Sequence, residues 1–184
     1  MTATTLDPAT ALIVVDLQQG IVGLPTAHPT AEVVARAATL ADAFRAKGLP
    51  VVLVRVTGGA PGRTEGPARS GGAPAADWAE IVPELGPREG DLVVTKQQWG
   101  AFYGTDLDLL LRRRGITQVV LAGIATSIGV ESTARAAHEH GYHVTLATDA
   151  MTDMSAEAHD NSLARIFPRL GESDTTDAIV ELLG

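Results

Sequence analysis

Three places in the chain put reactive side chains where an α/β protein exposes them. Asp16 closes the apolar run "ALIVVDLQ", Lys96 closes "DLVVTK", and Ala125, Thr126, Ser127 and Gly129 follow "TQVVLAGIA" at the start of a helix. A carboxyl at the end of a buried strand is partly desolvated, which raises its pKa, while a neighbouring lysine lowers it. A carboxyl under both influences is a candidate general acid or base. The plainer role for Asp16 is to bind backbone amides in the turn that follows. Lys96 can hold an anionic substrate, tune Asp16, or snorkel to solvent. Thr126 and Ser127 suit N-capping, and the helix N-terminus itself suits an anion or a developing oxyanion. Gly129 lets a ligand approach the backbone closely, at a position where glycine otherwise costs about 1 kcal/mol against alanine. Asp149, in "LATDAMTD", reads as a side chain that holds its own turn.

These residues depend on the elements that carry them. "ALIVVDLQ" (Ala11–Gln18) is continuously apolar, as a strand buried on both faces should be. The next segment, "TAEVVARAATLADAFRAKG", places Val33, Val34, Ala37, Leu40, Ala41 and Phe44 on one helical face. Thr30 is positioned to cap that helix, and Gly48 with Pro50 to stop it. "PVVLVRVT", "DLVVTK", "TQVVLAGIA" and "YHVTLATDA" read as the second to fifth strands. Helices are expected in "TDLDLLLRRRG" (capped by Thr105, stopped by Gly115), in "IGVESTARAAHEHG", in "SAEAHDNSLARIFPRL" from near Ser155, and in the terminal "DTTDAIVELLG", with room for a short edge strand before it. This alternation predicts a parallel, doubly wound sheet with helices on both faces. Ligands of such sheets bind beyond the carboxyl ends of the strands, at a switch point, so Asp16, Lys96, Ala125–Gly129 and Asp149 are expected on one rim. The Gly- and Pro-rich stretch from Gly58 to Gly90 breaks the pattern and reads either as a surface excursion or as a lid or pocket wall, with "DWAEIVPEL" as a short helical turn.

Bulk properties remove several classes. The 184 residues suit one domain spanning residues 1–184. The net charge of -8 argues against a nucleic-acid or anionic-membrane surface. With no cysteine, disulfides, thiolate metal sites and a cysteine nucleophile are excluded. The N-terminus lacks the basic and apolar regions of a signal peptide, and no apolar run is long enough to cross a bilayer, so a cytoplasmic protein is expected. G-x-S-x-G, Walker A and G-x-G-x-x-G patterns are absent. His138 and His140 do not share a helical face, and His28 and His159 have no evident partners in the sequence, so no metal site is read.

The ordered set "VVDLQQG", "VVTKQQWGAFYGTDLDLLL" and "VVLAGIATSIGVESTARAAHEHGYHVTLATDAMTD" resembles the isochorismatase-like hydrolases, the cysteine hydrolase superfamily, over nearly the whole chain. The resemblance implies a three-layer Rossmann-like fold with about six parallel strands. In amidase members an Asp and a Lys accompany a cysteine, and these positions correspond to Asp16, Lys96 and Gly129. The resemblance also implies a cis peptide between Ile124 and Ala125, substrate contacts from Gln18, Trp99, Ile124 and Ala125 and from Thr126, Ser127 and Ile128, no cofactor or metal, and a homo-oligomer. True isochorismatases, which cleave a vinyl ether to a dihydrodiene and pyruvate, also have Gly at the cysteine position. By that likeness Asp16 is the acid that protonates the enol ether, and Gly129 makes room for substrate or water. The chain departs from them at Ala125, where they carry Tyr, and after the second strand, where "VTGGAPG" replaces a Gln; Arg55 and Arg63 are nearby cations. An amide or C–N hydrolase using water, Ser127 or Thr126, and a non-catalytic small-molecule-binding protein, stay open as alternatives.

Overall fold

The computed structural model describes residues 2–65 and 75–184. Its strands are β1 (Thr10–Val15), β2 (Val51–Val56), β3 (Leu92–Lys96), β4 (Gln118–Ile124), β5 (His143–Thr152) and β6 (Glu172–Asp174). All neighbours pair in parallel, in the order β3-β2-β1-β4-β5-β6. The order reverses between β1 and β4, so a crevice opens beyond their carboxyl ends. The helices are α1 (Gln19–Val22), α2 (Thr30–Ala46), α3 (Leu107–Arg113), α4 (Glu131–Glu139), α5 (Ala156–Asn161) and α6 (Thr176–Leu183).

Strand periodicity divides the interior into two cores. Ala11, Ile13 and Val15 of β1 pack in one with Leu107 and Leu111 of α3 and Ala134 and Ala137 of α4. Leu12 and Val14 pack in the other with Leu40 and Phe44 of α2 and Ile179 of α6. The buried residues of α2 are the six that the sequence places on its apolar face. β4 lies so close to β1 that a Cβ at Gly123 would fall 2.0 Å from the Val15 carbonyl oxygen, and Gly123 has φ +124°. Only glycine meets both demands.

Some local expectations change. Thr30 is the first helical residue of α2, after Pro29, and makes no capping hydrogen bond. Thr105 and Ser155 do accept backbone bonds, from Leu107 and Ala158. β5 continues to Thr152, with a shift in its register against β4 between Leu121 and Gly123. Asp149 therefore lies within β5, not at its end. Its Oδ1 accepts from the N–H and hydroxyl of Thr176, holding the start of α6, and Arg36 lies 3.5 Å from its Oδ2. The segment expected as one long helix divides into α5 and two tighter or wider turns through Arg169. Residues 66–74 of the expected lid lie outside the described residues. The chain after them packs back on the start of α1, where Gln19 and Gly20 donate to Glu80 and Trp78.

Candidate active site

β1 ends at Val15, and the chain turns sharply at Asp16, whose φ is +55°. Asp is one of the few non-glycine residues that tolerate this region. The Asp16 N–H donates to Val54 at 2.9 Å, which fixes the turn against β2. Lys96 ends β3, two strands away, and its ammonium reaches across to Asp16 Oδ2 at 2.7 Å. The side chains are 9% (Asp16) and 1% (Lys96) exposed, so the pair is desolvated. The remaining Lys96 protons go to the carbonyls of Gln98 at 3.1 Å and Trp99 at 2.9 Å. An ammonium has three donors, so this lysine is saturated by the protein. Of the roles open to it in the sequence, orienting Asp16 fits, and holding a substrate anion does not.

The two oxygens of Asp16 differ. Oδ2 is held by Lys96, whereas Oδ1 is buried and has no hydrogen-bond partner among the described residues. Burial pushes the Asp16 carboxyl up to about 6, against the opposing charge and hydrogen bond of Lys96. Asp16 and Lys96 line a cavity of about 240 Å³ at the β1/β4 switch point. Gly129, Ile124, Ala125, Ile128 and Trp99 line it too, so seven of the sequence-selected residues converge there. Gly58 and Gly59, from the stretch read as a surface excursion or a lid or pocket wall, complete the wall together with Ile21, Leu24, Val56, Gln98 and Met154, which the sequence reading did not select. Apart from Gln98 these last five are apolar residues, carried by α1, β2 and separate loops, and no chemical pattern distinguishes them in the chain.

The turn after β4 starts with a cis peptide between Ile124 and Ala125. Gly129 follows in a wide helical turn that leads into α4. A Cβ at Gly129 would lie 3.0 Å from Val15 Cγ1, 3.2 Å from Asp16 Oδ2 and 3.4 Å from the Ile124 carbonyl. Gly129 lines the cavity, but a side chain there would start in tight contact with Val15 and Asp16. It lets the Asp16 carboxylate lie against the backbone where a side chain would otherwise begin.

Three sequence-selected residues serve the frame and do not line the cavity. Gln18 binds both backbone groups of Val56 and the carbonyl of Trp78, bracing the ends of the long loop. Thr126 is fully buried and shares a 2.8 Å hydrogen bond with His159. Ser127 offers both its N–H and its hydroxyl to Asp153 Oδ2, each at 2.7 Å. The helix end that the sequence offered to an anion is therefore already occupied by the protein's own carboxylate. Asp153, just beyond β5, also accepts from the Ser155 N–H. It stands in the "DAMTD" segment, but nothing there separates it from Asp149 until the end of β5 is known. His28 and His159 meet, with ring centroids 4.7 Å apart, and His28 binds Thr152. Burial first, and then His28, lowers the His159 pKa. Among the described residues no group of three or more His, Cys, Asp or Glu is placed to hold a metal ion, and no helix is long and apolar enough to cross a membrane. Arg55 binds the Thr95 hydroxyl, and neither it nor Arg63 lines the cavity.

Residues 10–178 match the family model described as "Isochorismatase domain". The chain is 51% identical over 178 residues to the uncharacterized isochorismatase family protein YwoC of Bacillus subtilis, covering 94% of this chain and 93% of that one. It is 33% identical to the ureidoacrylate amidohydrolase RutB of Methylobacterium radiotolerans, covering 97% and 81%. Among solved structures, an isochorismatase family protein from Burkholderia thailandensis superposes with TM-score 0.93 at 46% identity, covering 97% of each chain. The N-carbamoylsarcosine amidase of Thermoplasma acidophilum superposes with TM-score 0.75 at 29% identity, covering 91% and 96%.

Proposed function

Given that the chain belongs to the isochorismatase family and is a family hydrolase, we propose that it hydrolyses the vinyl ether of isochorismate or a related small molecule by acid catalysis, with Asp16 as the acid. The observation that carries this reading is the asymmetric Asp16 carboxyl. One oxygen is fixed by Lys96, the other is buried without a hydrogen-bond partner among the described residues, and Asp16 lines the cavity. A carboxyl with its pKa near 6 holds a proton far more readily than a solvated one, yet gives it up at neutral pH. Protonated Asp16 delivers its proton to the terminal methylene carbon of the enol ether, and positive charge develops on the ether carbon and oxygen. The Asp16 carboxylate so formed takes a proton from the water that attacks this oxocarbenium ion. The resulting hemiketal collapses to the alcohol and the carbonyl product, which for isochorismate are the dihydrodiene and pyruvate. No nucleophilic side chain is needed, in keeping with glycine at position 129. Release of pyruvate from isochorismate, read by coupled reduction and lost in Asp16→Asn, is the expected result. Turnover equal to that of Asp16→Asn sinks the proposal.

The relatives named for amide substrates motivate a second reading, an amide or C–N hydrolase. In its favour Ser127 has a carboxylate partner in Asp153. Against it, that hydroxyl already donates to Asp153 and lies off the cavity wall. Labelling of Ser127 or Thr126 by an acyl probe would support this alternative. A pocket that binds small molecules equally well with Asp16→Asn, and turns over none, would support a non-catalytic protein.

A further inference from the structure

We propose that His159 is a positioning residue for the turn after β4: its neutral ring holds that turn through Thr126, and protonation of the ring releases it. The turn supplies Ala125, Ile128 and Gly129 to the cavity wall, so the inference concerns any reaction carried out there. Two side-chain bonds tie the turn from behind. Ser127 is bound to the Asp153 carboxylate, and Thr126 to His159 Nδ1 at 2.8 Å. Thr126 is fully buried, and its hydroxyl has no other side-chain or backbone partner among the described residues. The hydroxyl proton therefore has one acceptor, the Nδ1 of a neutral ring that carries its own proton on Nε2. In a protonated imidazole both nitrogens are donors. Protonation of His159 thus turns two donors against each other and leaves a buried hydroxyl proton without an acceptor, which is costly.

The surroundings favour the neutral ring. His159 is buried, and His28 lies against it with ring centroids 4.7 Å apart, so a proton on one ring opposes a proton on the other. His28 Nδ1 in turn meets the Thr152 hydroxyl, which also accepts the His28 N–H. The acidic groups near His159 are Asp153, beyond β5, and Asp160, its neighbour on α5. Asp153 is already engaged by Ser127 and Ser155. Glu32 of α2 and Asp149 of β5 line the cleft that the two histidines share, and Asp149 faces Arg36. Glu131 of α4 is turned to Ser162 and Arg135. Burial, then His28, outweighs Asp160 and Asp153 and lowers the His159 pKa. A depressed histidine pKa means that the native state binds less proton than the unfolded chain, so the hold on the turn is complete above the ordinary histidine value and is lost as pH falls. The same network reaches the facing wall, because the Ala27 N–H donates to the Asp153 carbonyl in the loop that follows Leu24.

An NMR titration tests this without a substrate, following the histidine ring protons and the amides of Ala125, Ile128 and Gly129. It is run on Asp16→Asn, because Asp16 faces the same turn and itself titrates at about 6. The three amides are expected to move with the midpoint of the His159 ring, and His28→Asn to raise that midpoint by removing one cause of its depression. Thr126→Val keeps the shape and loses the hydroxyl, so there the amides should follow the ring at least about threefold less. Amides that ignore the His159 titration, or that follow it equally in Thr126→Val, overturn the inference. With Asp16 intact, His159→Leu and Thr126→Val should each lower kcat/KM for isochorismate by about tenfold or more. His159→Asn offers an amide oxygen in place of Nδ1 and cannot titrate. It should recover most of the loss and remove the fall in activity on the acid side. A natively folded His159→Asn as impaired as His159→Leu, or one with an unchanged acid side, overturns the inference as well. Absence of isochorismate turnover in the unaltered protein removes the enol-ether reading alone, and the NMR comparison then decides the role of His159.

Discussion

The two ends of the central strands each bury a polar group, and they are built in opposite ways. At the amino end of β4, Gln118 accepts from the Asp7 N–H and the Thr10 hydroxyl, and donates to the Thr5 carbonyl at 3.2 Å and the Thr145 hydroxyl at 2.9 Å. Its full hydrogen-bonding capacity is used. At the carboxyl end of β1, Asp16 spends one oxygen on Lys96 and leaves the other buried without a partner among the described residues. A saturated buried amide ties strands together and has nothing left for a ligand. An unsaturated buried carboxyl is costly to the fold and is worth keeping where something must still bind or accept a proton. On the proposed function, the difference separates a structural polar cluster from a chemical one on the same sheet.

The largest expected effect is on turnover. Asp16→Asn keeps the tolerance for positive φ and an oxygen for Lys96, and should lower kcat/KM by about 10²–10⁴-fold while circular dichroism stays native. The mirror experiment, Gln118→Ala, should cost roughly 2–4 kcal/mol in urea unfolding by leaving several groups unpaired, with activity per folded molecule unchanged. A marked loss of activity in Gln118→Ala, or none in Asp16→Asn, would erase the contrast.

Protonation sharpens the comparison further. The Asp16 pKa is raised on folding, from 3.8 to about 6. Between those values the native state binds more proton than the unfolded state, so this group's contribution to stability declines as pH rises, by about 2–3 kcal/mol across the window. Asp16→Asn should flatten that part of the stability–pH curve, and Gln118→Ala should leave its slope alone. In the same way, activity should fall as pH rises through about 6, and Lys96→Met should move that fall to higher pH, because both influences that lower the Asp16 pKa are removed. An unmoved midpoint would argue against Asp16 as the titrating acid.

The smallest effect is expected at Gly129. Gly129→Ala introduces contacts of 3.0 Å to Val15 and 3.2 Å to Asp16, and should cost about 1–2 kcal/mol of stability with a several-fold loss of turnover. Gly129→Cys should not hydrolyse simple amides robustly, since the Asp16 carboxylate already lies against the start of that side chain. Robust amidase activity would identify a cysteine site that was only recently disarmed.

The sequence by itself determined the layered fold, because long apolar runs can be buried only inside a two-sided sheet and the apolar stripe of α2 has one face to bury. It also singled out Asp16, Lys96 and Gly129, since strand ends in a parallel sheet share a rim. It could not find the end of β5, which depends on pairing with β4, so Asp149 and Asp153 stayed indistinguishable until the register was known. Nor could it tell that Thr126 and Ser127 turn away from the cavity toward His159 and Asp153, or that Lys96 is saturated. Those outcomes belong to tertiary structure because a polar side chain takes whichever partners the fold brings within about 3 Å, and such partners lie tens of residues away in the chain.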